Sequence, residues 1–234
     1  MPPDVRSSLI RPAKWVWVRS SARSVRHLPR PYDEPVITVA GANPVRVLFL
    51  GSGLAVGYGV HSHQLGMGGE LARHLAASSG RGTSVEVVAG DDMSVRQASR
   101  RLAHLDLNRF DVVVLTVGSY EATTLAQTRA WARLLPRISD VLRTRENGMP
   151  ETFFLGIAPL TDLVVYPAPM RPLIAERIET FNKYAREVSD DLGFTFVPFE
   201  PEPFDFVSRV NRSTYARWAS LIVPPMSSKL QNAS

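Results

Sequence analysis

The sequence predicts an α/β protein, a three-layer α/β/α sandwich around a doubly wound, five-stranded parallel sheet. Three observations carry that prediction. Five short apolar, β-branched runs recur along the chain, at Val45–Leu50, Val85–Ala89, Asp111–Val117, Thr152–Ile157 and Phe194–Val197. Each is too short for a helix and is bounded by Gly, Asp or Pro. Segments with helical spacing separate them, at Gln64–Ser79, Ser94–Leu105, Leu125–Arg143, Arg171–Leu192 and Ser213–Val223. Finally, the runs read as near-continuous Val, Leu and Phe, the pattern of strands buried on both faces, and alternation with helices implies parallel pairing by right-handed crossovers.

The boundaries follow from composition. Residues 1–32 carry seven cations (Arg6, Arg11, Lys14, Arg19, Arg23, Arg26 and Arg30) against Asp4 alone, a net +6. The whole chain is +5, so the remainder is −1 and the basicity belongs to an N-terminal arm. A stretch rich in Pro, Gly and Asn then reads as a linker over 33–44, followed by the α/β domain over 45–224 and a C-terminal tail over 225–234.

Composition also excludes classes of chemistry. The 234 residues include no cysteine, so there is no disulfide framework, thiol nucleophile or thiolate metal site. No apolar run reaches the roughly 20 residues that span a bilayer, and the N-terminus lacks the apolar core of a signal peptide, so a cytoplasmic address is expected. The arm mixes cations with Trp15 and Trp17, which suits an anionic membrane surface or an acidic partner. The plainer reading is an arm packed across its own domain. No nucleic-acid binding is expected, because no reading motif accompanies the charge.

In a doubly wound sheet, ligands sit beyond the carboxyl ends of the strands near the reversal of strand order. The loops to search are therefore 51–63, 90–93, 118–124 and 158–170. The first holds four glycines between Gly51 and Gly59, and such glycines let a backbone approach a ligand closely. Gly51, Gly53 and Gly57 spell a variant of a dinucleotide fingerprint, with Asp91 or Asp92 as a ribose-binding acid. That fingerprint needs its helix to start at the glycines, and Tyr58, Gly59, Gly66, Gly68 and Gly69 delay any good helix. Asp91 and Asp92 also lack a histidine or third carboxylate nearby in sequence, so they read as a solvated turn. No metal and no other cofactor is expected.

The run Phe49-Leu-Gly51-Ser52-Gly53-Leu54-Ala55-Val56-Gly57-Tyr58-Gly59-Val60 resembles the opening block of SGNH, or GDSL-type, hydrolases, whose fold is flavodoxin-like. The likeness continues at Gly118-Ser119-Tyr120-Glu121, where the family writes Gly-x-Asn-Asp, and ends at Tyr215-Ala-Arg-Trp218. That family's chemistry uses a serine nucleophile, a histidine base, an orienting aspartate and oxyanion donors. The resemblance places the nucleophile at Gly53, which has no side chain, and turns the preceding aspartate into Ser52. It aligns the oxyanion asparagine with Tyr120, the oxyanion glycine with Met93 or Ser94, the histidine with Arg209 and the aspartate with Phe206, one residue from Asp205.

All five histidines, His27, His61, His63, His74 and His104, precede residue 105. The resemblance therefore implies an altered member with its triad replaced. Its ligand cleft would be formed by Gly51, Ser52, Gly53, Gly118, Tyr120 and Arg209, and would take a small acyl or anionic ligand. Ser52 is the fallback nucleophile of the alternative reading, a carboxyl-ester or acyl hydrolase. A third reading makes the protein a peripheral membrane or scaffold protein that works through its arm.

Overall fold

The computed structural model describes residues 28–158, 168–201 and 210–232. Six strands form one sheet: β1 (Val36–Val39), β2 (Val45–Gly51), β3 (Thr83–Ala89), β4 (Val112–Thr116), β5 (Glu151–Leu155) and β6 (Phe194–Val197). Their order is β1-β3-β2-β4-β5-β6, with β1 antiparallel to β3 and every other pairing parallel. The five parallel strands are the five predicted from sequence. The addition is β1, inside the stretch read as a linker. Its Val-Ile-Thr-Val alternates, with Ile37 buried and Val36 exposed, so it covers the β3 edge with one apolar contact.

The order reverses between β2 and β4, and side chains alternate across the sheet there. Val47 and Phe49 face one core, completed by α1 (Met67–Ser79) and α7 (Arg212–Asn232). Leu48 and Leu50 face the other, together with Val113 and Leu115 from β4. That second core is closed by α2 (Val95–Ala103), α5 (Leu135–Leu142) and α6 (Arg171–Leu192). Two short helices, α3 (Ser119–Thr123) and α4 (Thr128–Ala132), follow β4.

The segment Leu125–Arg143, predicted as one helix, is broken. Leu125 has φ of +50°, and α5 begins with Pro136 in its first turn, where a missing N–H costs nothing. The predicted tail over 225–234 is likewise corrected, since α7 runs on to Asn232 through Pro224 and Pro225. Each proline removes a bond to the carbonyl four residues back, here Ser220 and Leu221. Both of those residues are exposed, while Tyr215, Trp218, Ala219, Ile222, Val223 and Met226 stay buried. The last turns are fastened to α1, with the Ser78 and Ser227 hydroxyls 2.7 Å apart and Gln231 donating to the Ser78 carbonyl.

Three distant segments meet at the loop after β2. The Gly59 amide donates to the Pro29 carbonyl at 2.9 Å, and the Tyr215 hydroxyl donates to the Tyr58 carbonyl at 2.8 Å. Gly59 has φ of +78°, and a Cβ there would collide with the Val210 carbonyl oxygen. Gly59→Ala is therefore expected to destabilise the protein by well over the ~1 kcal/mol that left-handed strain alone imposes. Tyr215→Phe removes the buried hydrogen bond to the Tyr58 carbonyl and is expected to cost about 0.5–1.5 kcal/mol. Denaturant unfolding midpoints of the two variants against the parent chain check both values.

Candidate functional site

The carboxyl ends of β2 and β4 are locked together before any functional side chain is placed. The Ser52 amide donates to the Thr116 carbonyl at 2.9 Å, and the Thr116 hydroxyl donates to the Ser52 carbonyl at 2.8 Å. Gly51, with φ of +146°, lies so close that a Cβ would run into Thr116. This brings Gly51, Ser52, Gly53, Gly118 and Tyr120 to the strand-reversal point, as expected from sequence. Arg209, with Asp205 and Phe206 beside it, lies outside the described residues.

Ser52 is 1% exposed, and its hydroxyl has no hydrogen-bond partner. Among the described residues, therefore, no base stands within hydrogen-bond reach of it. The described histidines are held elsewhere. His63 gives its amide to Asp33, while Asp33 also accepts the Ser62 hydroxyl at 2.6 Å. Burial would raise the Asp33 pKa, but these two bonds outweigh it and hold the carboxylate below its ordinary range. His74 lies beside Glu70 on α1, and His104 caps the far end of α2.

Gly53, where the resemblance places a nucleophile, has a neighbour that sequence reasoning missed. A Cβ built on Gly53 would stand 3.2 Å from the Ser119 hydroxyl oxygen. Ser119 was legible only as the unspecified residue of the Gly-x-Asn-Asp block, so spacing alone could not single it out.

The amides that the resemblance assigns to an oxyanion hole are already engaged. Met93 donates to the Gly90 carbonyl at 3.2 Å, and Ser94 to the Gln97 side chain at 2.8 Å as part of a capping box on α2. The next amide, Val95, donates to Glu121 Oε1 at 2.6 Å. Tyr120 is half-buried in the first turn of α3, and its carbonyl accepts the hydroxyls of Thr123 and Thr124. Burial, then the charges of Asp92 and Glu121, raise the Tyr120 pKa.

Glu121 is the unexpected group. It is 6% exposed, and Oε2 has no partner. Burial raises its pKa, a shift only partly offset by the amides of Val95, Glu121 itself and Gly118. The other buried carboxylate, Glu70, differs because Arg73 pairs with it at 2.5 Å and Arg212 approaches to 3.6 Å. The Trp131 indole nitrogen, 3.3 Å from a Cβ built on Gly118, is also buried without a partner. Three unmatched polar atoms, from Ser52, Glu121 and Trp131, thus lie around the ends of β2 and β4. Native cores rarely leave such atoms unpaired.

Asp91, read from sequence as a solvated turn, lies exposed in a turn and also acts as a clasp. It accepts the Tyr58 hydroxyl at 2.7 Å and pairs with Arg30 at 2.6 Å, and the Arg30 guanidinium lies 5.3 Å from the centre of the Tyr58 ring. The end of the arm therefore packs on the glycine loop, with Pro31 against Gly57. Among the described residues there is no cluster of three potential metal ligands and no helix long and apolar enough to cross a membrane.

A mostly parallel sheet with strand reversal at β2 and β4, helices on both faces and a glycine turn at the reversal defines a three-layer α/β/α fold with its site at the strand ends. In particular it is the fold of the SGNH hydrolases. An Agrobacterium tumefaciens protein assigned as an arylesterase is 16% identical, with a TM-score of 0.61 over 80% of this chain and 99% of that one. TesA is 16% identical, with a TM-score of 0.57 over 76% and 96%. AlinE4, an SGNH-hydrolase family esterase, is 14% identical, with a TM-score of 0.53 over 83% and 98%. Identities this low carry the fold alone. No protein-family model matches the chain, and no curated protein matches it in sequence.

The raised pKa of Glu121 has a definite sign. The folded state favours the protonated carboxyl, so the group's stabilising contribution is complete below the unfolded carboxyl pKa and is lost as pH rises through the folded one. Glu121→Gln keeps an acceptor for Val95 and removes the charge. Its melting temperature relative to the parent chain is expected to rise between pH 5 and pH 8. A difference unchanged across that range, read by thermal unfolding, would show a carboxylate indifferent to its burial.

Proposed function

We propose that this chain is a non-hydrolytic variant of the SGNH fold that binds a small acyl or anionic ligand at the ends of β2 and β4. The observation that carries the reading is the set of unmatched polar atoms there, with the Ser52 hydroxyl among them and, among the described residues, no base beside it. Triad chemistry requires a nucleophile and a base in hydrogen-bond contact. Gly53 offers no side chain, and the second-block amides are bonded within the protein. The ligand class rests on the resemblance and on Arg209, where a permanently charged guanidinium aligns with a proton-transferring histidine and favours an anionic group.

A second reading, an acyl hydrolase with a displaced nucleophile, draws on Ser119, whose hydroxyl lies next to the vacant position at Gly53. The esterase names of the structural neighbours favour it in the same measure. The two readings separate on purified full-length chain with a short-chain aryl ester and a fluorophosphonate probe. The binding reading expects no turnover above background and no covalent labelling. Steady turnover abolished by Ser119→Ala or Ser52→Ala would replace it with the hydrolase.

A further inference from the structure

Among the described residues, the arginines divide into two groups. Arg30, Arg46, Arg73, Arg109 and Arg212 each lie within ion-pair distance of a carboxylate. Arg96, Arg100 and Arg101 on α2, Arg129 on α4, Arg133 just after it and Arg137 on α5 do not, and all six are exposed. These six share one face. Val95, Ala98 and Leu102 of α2 and Leu135, Ile138 and Leu142 of α5 are buried towards the sheet, and the two helices pack side by side. The arginines point away from that core. Arg96 and Arg100 are four apart on one helix, and Arg133 and Arg137 four apart on the approach to the other, so each pair makes a row along its helix. The rows are one helix spacing apart, roughly 8–10 Å.

The charge on this face is segregated rather than general. The chain beyond residue 32 carries −1 in all, and α6, in the same helical layer, holds four cations against five carboxylates. On α2, α4 and α5 the six arginines meet one exposed carboxylate, Asp140, and His104 at the end of α2 adds a further cation when protonated. Such an array sets up a positive potential that only an anionic partner can answer. The large exposed apolar side chains, Tyr32, Val36, Leu65 and Leu221, belong to other elements, so the face has no aromatic or aliphatic anchor of the kind that tight protein interfaces use. Both helices lie flat on the sheet, so neither projects as a reading helix does into a nucleic-acid groove. A level array of four to eight cations suits a plane of anionic headgroups.

We propose that the face formed by α2, α4 and α5 docks on an anionic lipid surface. Contact is electrostatic, without insertion, so salt releases it, and each arginine contributes roughly fivefold to affinity. The sheet then lies parallel to the membrane. The strand-end site opens at the rim of the docked face, because α2 begins there, where the Val95 amide meets Glu121. The proposal uses none of residues 1–27 and is independent of whether that site binds or hydrolyses.

Co-sedimentation of the full chain with phosphatidylcholine vesicles, with and without about 30% phosphatidylserine, tests it. At low salt the chain is expected to pellet with the anionic vesicles only. The N-terminal arm is common to every variant, so differences between variants read this face. Arg100→Ala/Arg133→Ala/Arg137→Ala is expected to weaken binding roughly a hundredfold with unchanged circular dichroism, and lysine at the same three positions to hold it within about threefold of the parent. Arg217→Ala/Lys229→Ala removes exposed cations from α7 across the sheet and is expected to change binding less than about threefold. Equal pelleting with both vesicle types, no pelleting at low salt, or a triple alanine variant that loses no more than the α7 variant would each overturn the proposal. So would a mixed-sequence DNA duplex that strips the parent from the vesicles and does not bind the triple alanine variant, which would assign the face to nucleic acid.

Discussion

The paired hydrogen bonds between Ser52 and Thr116 are the constraint from which the rest of the site follows. They hold the exits of β2 and β4 side by side where the strand order reverses, and only glycine at position 51 permits the approach. Once the two exits are joined, the loop after β2 must turn away from Thr116, and α3 must start beside Gly53. The closeness of Ser119 to Gly53 is a direct result. So is the burial of Glu121 two residues later, with its carboxyl against the start of α2.

The same lock sets the backbone shape of the region, a glycine turn at the strand ends, beside which the amides of Met93, Ser94 and Val95 are bonded within the protein. A buried carboxyl, an indole N–H and a hydroxyl occupy the region. Such groups recognise hydrogen-bonding partners well and move protons poorly without a base.

Much of the fold was legible in the sequence because the parallel strands are buried on both faces and so announce themselves as apolar runs. β1 was not, because four alternating residues between Pro35 and Gly41 resemble any linker, and the pairing that makes them a strand comes from β3. The extension of α7 through Pro224 and Pro225 was hidden for a related reason. Proline ends a helix in sequence logic, yet the residues whose carbonyls lose a partner here, Ser220 and Leu221, are exposed. The glycine turn was placed correctly from its residues and its resemblance. Ser119 and Glu121 were not assigned roles, since their importance arises from which atoms lack partners, a property of packing. The partners of Asp91 were not legible, because Arg30 and Tyr58 are some 60 and 30 residues away in the chain.

The convergence of Pro29, Gly59 and Tyr215 on one loop also bears on the order in which the molecule assembles. Tyr215 reaches Tyr58 across a sequence separation of 157 residues, and Val210 closes over Gly59 from the same distant segment. Contacts between remote segments form late, because the chain must first close a long loop. During synthesis the parallel sheet can begin to order from its early strands, but the turn at its centre acquires its final form only after α7 has emerged from the ribosome. A nascent or C-terminally truncated chain would therefore carry the sheet with an unfinished site.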